Sequence, residues 1–304
     1  MSSRLMAVTA LLAAAAIGLS GCSGTPSAES PRAVSSGSMS VASTVPAAPP
    51  SPECAAAPVP GFDCDLQNRV AAVQQYLGTR PGTTGVVLHD LQSGAVWEND
   101  HAKDPTWTAS TIKLAMVVDL FTRDRSGEIH LTDDDRTLIQ SMLHSSNDDA
   151  ADTLWYRYAG GDHLSFNDNF AAYGMTGLVP QRGFSEYYPY WGFQKCTPED
   201  LDRLIHYVLT DLPADERGYI VGQLRSVDPN QQWGVWGAGP AAQPGNKDGW
   251  SEEQGGWVMN TVGFVGPDTR FTLVVMNNLR GQGDYNAGRE TVTQVAKLLF
   301  DGRY

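Results

Sequence analysis

The chain has 304 residues, and its 34 aspartates and glutamates outnumber its 21 lysines and arginines, which gives a net charge of −13. No basic stripe interrupts this acidity, which argues against nucleic acid as a partner. The six histidines show none of the spacings typical of metal sites, and we expect neither a metal nor another cofactor. Residues 60–304 have the length and apolar content of one domain with its own core, which we expect to be monomeric.

The amino terminus has the pattern of a bacterial export signal. Met1–Arg4 ends in a positive charge and precedes an apolar run, Leu5–Leu19, that is too short to span a bilayer comfortably. The run closes on Leu19–Cys22, which looks like a lipobox, so we expect residues 1–21 to be removed and Cys22 to receive the lipid. A simple secretory signal with a coincidental cysteine is the alternative. The sequence therefore predicts an exported protein held by its lipid at the outer face of the cell membrane.

A polar, low-complexity segment follows the lipobox. Residues 22–59 are mostly serine, proline, alanine and threonine, with too few large apolar side chains to bury a core. We interpret this segment as a disordered tether with an average reach of about 30 Å.

Three further cysteines lie beyond Cys22. In an exported protein we expect two of them to pair. Cys54 and Cys64 would close the shortest loop and are the first choice, although Cys196 could replace either.

The first part of the domain predicts a helix, a hairpin and a second helix. Asp65–Leu77 carries its apolar residues on one helical face. Two strands, Thr83–His89 and Ala95–Glu98, follow on either side of a glycine-containing turn. Ala109–Leu120 is apolar on nearly all sides, which predicts a buried helix.

The middle of the domain predicts several helices as far as Leu212. Thr132 and Asp135 have the spacing of a capping box and open the first. Asp148–Tyr158 predicts the next, and Thr197–Pro198 opens a third with an N-cap and a proline at the first position.

After Gly245 the apolar pattern changes to a period of two. Strands are expected over Asn246–Ser251, Trp257–Val265 and Phe271–Asn277, followed by a closing helix over Glu290–Leu299. Strands at both ends of the domain with helices between them predict an α+β fold, in which a helical subdomain at about residues 110–212 is inserted into one antiparallel sheet.

Three short motifs fall on these elements. Ser110 and Lys113 are three residues apart on the apolar helix, so hydroxyl and amine share one face, and burial would favour a neutral amine. Ser145–Asn147 lies between two helices, where such residues are also ordinary caps. Lys247–Gly249 begins the carboxy-terminal strands, where a polar turn is the alternative.

In this order, S-x-x-K, S-x-N and K-x-G resemble the signatures of the penicillin-recognising serine hydrolase superfamily, and the domain is most similar to class A β-lactamases. The resemblance covers Pro60–Tyr304. It implies an antiparallel sheet flanked by amino- and carboxy-terminal helices, with an inserted all-helical subdomain.

The resemblance also implies a role for each motif residue. Ser110 would be the acylated nucleophile and Lys113 its activating base. Ser145 would be the proton relay, and Asn147 would contact a substrate amide. Lys247 would supply positive potential for Ser145 and for the substrate carboxylate, and Gly249 would belong to the same substrate-binding strand. The backbone N–H groups of Ser110 and Trp250 would form the oxyanion hole.

Three departures from the family pattern bear on activity. Asp248 stands where the family has a hydroxyl, and it would repel a substrate carboxylate unless turned away or protonated. The segment between Ser110 and Ser145 is shorter than in class A enzymes, so we expect a trimmed helical subdomain and a cleft that lacks one wall. No E-x-x-L-N loop positions a deacylating water, and Glu186 is the one glutamate between Asn147 and Thr197 that could act as the base.

Two classes of function follow from these residues. The first is a serine acyl-transfer enzyme acting on β-lactams or cell-wall peptides, with poor deacylation. The second is a binding or scaffold lipoprotein of the cell envelope that has kept the fold and lost turnover. A Ser-His-Asp esterase is disfavoured because no G-x-S-x-G occurs.

Five aromatic residues lie close together in the chain before Thr197: Tyr187, Tyr188, Tyr190, Trp191 and Phe193. They would either line a cleft for substrate or pack a loop onto the helical subdomain.

Overall fold

A computed structural model describes Cys54 and residues 59–183, 185–252 and 255–304. The expected signal peptide, the lipidated Cys22 and all of the tether except Cys54 and Val59 lie outside the described residues.

The described residues form eight strands and eight α-helices, with most of the helices in the middle of the chain. The strands are Thr83–Asp90 (β1), Ala95–Glu98 (β2), Thr106–Trp107 (β3), Val179–Pro180 (β4), Gln194–Cys196 (β5), Gly245–Ser251 (β6), Val258–Val265 (β7) and Phe271–Asn278 (β8). The α-helices are Cys64–Leu77 (α1), Ile112–Ser126 (α2), Asp133–His144 (α3), Asp148–Tyr158 (α4), Ser165–Phe170 (α5), Pro198–Thr210 (α6), Ala214–Arg225 (α7) and Tyr285–Phe300 (α8).

The main sheet has the order β2-β1-β8-β7-β6, and each neighbouring pair is antiparallel. Its two faces cover different cores because side chains alternate along a strand. Val86 and Leu88 of β1 pack with α1 and α8, whereas Val87 between them packs with the helices of the middle of the chain. Strand β6 is left at one edge of the sheet, which places the residues of the K-x-G motif at the border of the helical region. The α+β fold expected from the sequence is confirmed.

Local capping signals set several helix boundaries. Thr132 and Asp135 form a capping box at the start of α3, and Thr197 and Asp200 form another at α6 with Pro198 in its first turn. Helix α2 ends at Gly127, whose φ of 77° a side chain would disfavour.

Other boundaries differ from the sequence-based expectation. A short 3-10 turn, Ala109–Thr111, precedes α2, and α2 continues to Ser126 instead of ending at Leu120. Helix α8 starts at Tyr285, five residues before the expected Glu290, because Asp284 caps it by accepting a hydrogen bond from the Ala287 N–H. Helix α7 and the small sheet of order β3-β5-β4 were not expected.

Cys54 and Cys64 form a disulfide, and Cys196 is a buried free thiol. This is the pairing that the sequence favoured. Burial raises the pKa of the Cys196 thiol, which keeps it protonated.

Candidate active site

Ser110 lies in the short 3-10 turn Ala109–Thr111, hereafter the Ser110 turn, which leads directly into α2. Ala109 has a φ of 45°, which is unfavourable for a residue with a side chain and costs of order 1–3 kcal/mol. Neighbouring bonds hold the turn: the Thr111 hydroxyl donates to the Thr108 carbonyl at 2.7 Å, and the Asn260 amide donates to the Trp107 carbonyl at 2.7 Å. Ser110 is therefore presented on a rigid, locally strained backbone.

Strand β6 passes directly against the Ser110 turn at Gly249. A Cβ atom at this position would lie 2.7 Å from the backbone nitrogens of Ser110 and Thr111, closer than van der Waals contact permits. Glycine is therefore required, and the next residue, Trp250, reaches the same cavity as Ser110.

Two buried lysines lie beside this turn. The Lys113 ammonium donates to the Ser146 carbonyl at 2.7 Å and to the Asp148 carboxylate, and it lies 4.5 Å from the centroid of the Trp191 ring. The Lys247 ammonium donates to the Ser146 hydroxyl at 2.8 Å and to the Asp248 carbonyl at 2.7 Å. Ser146 thus joins the two lysines, one through its backbone and one through its side chain.

Burial lowers the pKa of both lysines. For Lys113 the nearby Asp148 and Asp152 carboxylates oppose this effect in part. For Lys247 the pKa falls well below its ordinary range, because burial and the charge of Lys113 act in the same direction. Lys247 is therefore disposed to lose its proton more readily than an exposed lysine.

The structure places the middle motif one residue further along the chain than expected. The Ser145 hydroxyl donates to the Ser141 carbonyl of α3 at 2.9 Å, whereas the Ser146 hydroxyl faces Lys247. Asn147 is exposed and caps α4 by accepting a hydrogen bond from the Ala150 N–H at 2.9 Å. Asp148, two residues after Ser146, lines the cavity. The pair Ser146 and Asp148 has the same spacing as Ser145 and Asn147, so spacing alone could not have separated them.

Asp248 is turned away from Ser110. Successive side chains of β6 alternate between the two faces of the sheet, so Asp248 lies opposite to Lys247, on the face covered by α8. It is 1% exposed, and its register partner is Thr261 of β7. Burial raises the pKa of Asp248 to about 8, although the polar side chains of Thr261 and Asn246 offset part of this rise. The expected repulsion of a substrate carboxylate therefore does not arise from this side chain.

A cavity of about 430 Å³, hereafter the Ser110 cavity, opens at these residues. Its lining combines small, acidic and aromatic residues and comprises Ala109, Ser110, Asp148, Tyr190, Trp191, Gly192, Phe193, Trp250, Ser251, Glu252 and Trp257. Glu186 is exposed and is not part of this lining. The sequence did not single out Asp148, Glu252 or Trp257.

Part of the aromatic group is fixed by a carboxylate of α4. Asp152 accepts hydrogen bonds from the Tyr190 hydroxyl at 2.5 Å and from the Trp191 indole N–H at 2.7 Å. Tyr187 instead packs on Tyr156 and His163. Each of the two predicted roles therefore applies to part of the aromatic group. Tyr190, Trp191 and Phe193 line the cavity, and Tyr187 packs on the helices.

Sequence comparison places this geometry in a family. Residues 66–302 match the model of the beta-lactamase enzyme family. The chain belongs to the beta-lactamase enzyme family. Among curated proteins, it is 27% identical over 256 residues to "Putative lipoprotein LppW" of Mycobacterium tuberculosis and of Mycobacterium bovis, covering 81% of this chain and 78% of each relative.

Solved structures share the fold of this beta-lactamase family member. A beta lactamase from Xanthomonas campestris has a TM-score of 0.62 and 20% identity, covering 78% of this chain and 96% of its own. The beta-lactamase from Streptosporangium roseum has a TM-score of 0.63 and 15% identity, covering 76% of this chain and 97% of its own.

Two kinds of feature are absent from the residues that the structure describes in this family member. No group of three or more histidine, cysteine or carboxylate side chains in them is arranged to hold a metal ion. Within the same residues, none of the helices combines the length and apolar character that crossing a membrane requires.

Proposed function

We propose that this protein is a lipid-anchored serine acyl-transfer enzyme of the cell envelope, acting on β-lactams or cell-wall peptides through Ser110. The proposal rests on the contacts of Ser146 with two buried lysines beside the Ser110 turn. Its hydroxyl accepts a hydrogen bond from Lys247, and its carbonyl accepts one from Lys113. Membership of the beta-lactamase family supports the same chemistry.

The reaction would use these groups in a defined order. The Ser110 oxygen attacks the substrate carbonyl and forms the acyl bond, while its proton passes to neutral Lys113, the form that burial favours. The Ser146 hydroxyl gives its proton to the leaving nitrogen and regains one from Lys247 or Lys113. The backbone N–H groups of Ser110 and Trp250 are the proposed donors to the oxyanion. In this proposal Ser146 takes the relay role that the family resemblance implied for Ser145.

Deacylation is proposed to be slow. A water must then be activated by a base, a contribution of about 10²–10⁴ in rate. Of the described carboxylates that line the cavity, Asp148 is paired with Lys113 and Glu252 is exposed, while Glu186 is exposed and outside the lining. We therefore expect a long-lived acyl-enzyme.

A binding lipoprotein without turnover is the second candidate, and the ion pair between Lys113 and Asp148 favours it. Burial lowers the pKa of Lys113, and the Asp148 carboxylate opposes this larger effect by raising it. The Asp148 carboxylate therefore favours the protonated form of Lys113, which cannot accept the Ser110 proton. The hydrogen-bond partners of the Lys113 ammonium in the described part of the chain are Ser146 and Asp148, not Ser110.

Intact-protein mass spectrometry after incubation with a β-lactam separates the two candidates. The enzyme hypothesis expects a mass increase equal to that of the β-lactam, absent in Ser110→Ala. Ser146→Ala should slow adduct formation by about 10²-fold or more, because the proton relay is lost. Ser145→Ala is the matched control and should react like the wild type, since its hydroxyl bonds a helix carbonyl. No adduct and no hydrolysis in the wild type would favour the binding lipoprotein.

Attachment to the membrane through Cys22 belongs to the same proposal. The curated relatives from Mycobacterium carry the word lipoprotein in their names, and the lipobox of this chain supports the same anchorage.

A further inference from the structure

The charges around the Ser110 cavity have one sign. Its described lining contains two carboxylates, Asp148 and Glu252, and no lysine or arginine. Lys113 is 0% exposed and pairs with Asp148, so it offsets that charge in part, and Lys247 is 1% exposed. Glu252 is the lining carboxylate that has no ion pair among the described residues. The Asp148 side chain is 71% exposed, so its carboxylate is accessible from the cavity.

Aromatic rings accompany these carboxylates. Tyr190, Trp250 and Trp257 line the cavity, and the faces of such rings attract cations. Trp250 and Trp257 each pack edge to face against Tyr285, with ring centroids 6.3 and 5.5 Å away, which restrains their orientation. Trp191, which also lines the cavity, already lies against one buried ammonium, since Lys113 Nζ is 4.5 Å from its ring centroid.

We propose that the Ser110 cavity selects acyl donors that carry an ammonium group, held by Asp148 and Glu252 and by the adjacent aromatic rings. The chemical class is a β-lactam or cell-wall peptide with a free amine on the side chain next to the reacting carbonyl. This inference rests on the proposed function and adds the substrate class to it. An amine on the donor finds the exposed Glu252 and, in competition with Lys113, the Asp148 carboxylate.

Such a donor would also act on Lys113. An ammonium that pairs with Asp148 competes for the carboxylate that now holds Lys113. Asp152 lies near Lys113 on α4 and Lys247 faces it from β6, and neither contacts the open cavity directly. Binding of the amine would therefore favour the neutral form of Lys113 that can accept the Ser110 proton.

Two β-lactams that differ by a single amine test the preference. Ampicillin is benzylpenicillin with an added α-amine. We expect ampicillin to acylate Ser110 about tenfold faster than benzylpenicillin, because its amine gains contacts with one exposed carboxylate and with the aromatic rings. Glu252→Gln should reduce this ratio to about threefold or less. Asp168→Asn, which removes an exposed charge on α5 away from the cavity, should leave the ratio unchanged.

A binding experiment distinguishes failure of this inference from failure of the proposed function. Ser110→Ala is titrated by calorimetry with Nα-acetyl-Lys-D-Ala-D-Ala and with the same peptide acetylated on its side-chain amine as well, so that the two peptides differ by one ammonium group. Tighter binding of the free amine, lost in the Glu252→Gln background, supports the inference even if no β-lactam adduct forms. Equal acylation by the two penicillins would overturn it while leaving the proposed function intact. Absence of both adducts and peptide binding would overturn both.

Discussion

At the scale of single residues, Asp148 has the largest expected influence on the chemistry of Ser110. Its carboxylate pairs with buried Lys113 and raises the pKa of that lysine against the larger, opposing effect of burial. Asp148→Asn removes the opposing charge, so the pKa of Lys113 should fall further. The neutral base is then present at lower pH, and the rising limb of acylation rate against pH should move to lower pH by about one to three units.

The matched control for this change is Asp149→Asn, which alters the net charge equally at the next, exposed position of α4. The measurement is the rate of adduct formation on Ser110 between pH 5 and 10, followed by intact mass. Coincident profiles for Asp148→Asn and the wild type would show that this carboxylate does not govern the base.

We expect Asp248 to affect the stability of the fold and not the binding of substrate. Burial raises its pKa from an ordinary 3.8 to about 8, so the folded state keeps a proton that the unfolded state has lost between these values. Because the folded state binds more protons in this window, the free energy of unfolding falls as pH rises from about 4 to 8. Asp248→Asn cannot ionise, and it should be more stable than the wild type at pH 8, relative to pH 5, by about 3–4 kcal/mol.

Chemical denaturation at several pH values tests this prediction. The wild type should lose stability more steeply between pH 5 and 8 than Asp248→Asn does. Asp268→Asn, in an exposed turn, is the control for a change in net charge alone. Parallel pH dependence in all three proteins would mean that Asp248 is ionised in the folded state.

The positions of Lys113, Lys247 and Gly249 in the candidate site could be predicted from the sequence, but the register of the middle motif could not. Lys113, Lys247 and Gly249 lie beside Ser110 because helical and strand periodicity fix where they point. Which of two adjacent serines faces Lys247 depends on the backbone between α3 and α4, where Ser146 has a φ of 60°. This left-handed conformation rotates Ser146 toward the lysines, and nothing in the local spacing indicates it.

At the scale of elements, Asp152 connects α4 to the aromatic residues of the cavity. It accepts hydrogen bonds from Tyr190 and from Trp191, and the Trp191 side chain is buried. Asp152→Ala leaves the buried indole N–H without its partner, which should lower the free energy of unfolding by about 1–3 kcal/mol. It should also loosen Trp191 above Lys113 and slow acylation.

Denaturant unfolding and acrylamide quenching of tryptophan fluorescence test the role of Asp152. Asp149→Ala, on the same helix and exposed, should leave both unchanged. If Asp152→Ala unfolds at the same denaturant concentration as Asp149→Ala, the hydrogen bonds to Tyr190 and Trp191 do not stabilise the loop.

Elements with a local signature were predictable, and those formed by tertiary contacts were not. The α3 and α6 starts follow from capping residues that lie three positions apart in the chain. Helix α7 buries only Ile220 and Leu224 within Ala214–Arg225, which is too few apolar residues to give a periodic pattern. The small sheet pairs Thr106–Trp107 with residues near 195, a contact across the whole helical region that no local pattern encodes.

At the scale of the whole molecule, the proposed chemistry of the cleft and the predicted export signal indicate the same location, outside the cell membrane. A serine acyl-transfer site for cell-wall peptides requires access to the outside of the cell membrane, and the lipobox predicts anchorage there. Residues 22–59, predicted from the sequence to be a tether, follow that anchor in the chain. The disulfide between Cys54 and Cys64 joins the end of that tether to α1, consistent with an oxidising compartment.

Cys22→Ala tests the anchor. Without the thiol that accepts the lipid, the protein should leave the detergent phase or remain as an uncleaved precursor of higher mass, whereas the wild type should partition into detergent. Ser23→Ala, one residue further along, retains the cysteine and should partition like the wild type. The readouts are detergent phase partitioning of cell extracts and the mass of the amino-terminal peptide, which carries the lipid on Cys22 if the lipobox is used. Equal partitioning of Cys22→Ala and the wild type, with an unmodified Cys22 peptide, would contradict the anchor and leave a simple secretory signal as the explanation of the leader.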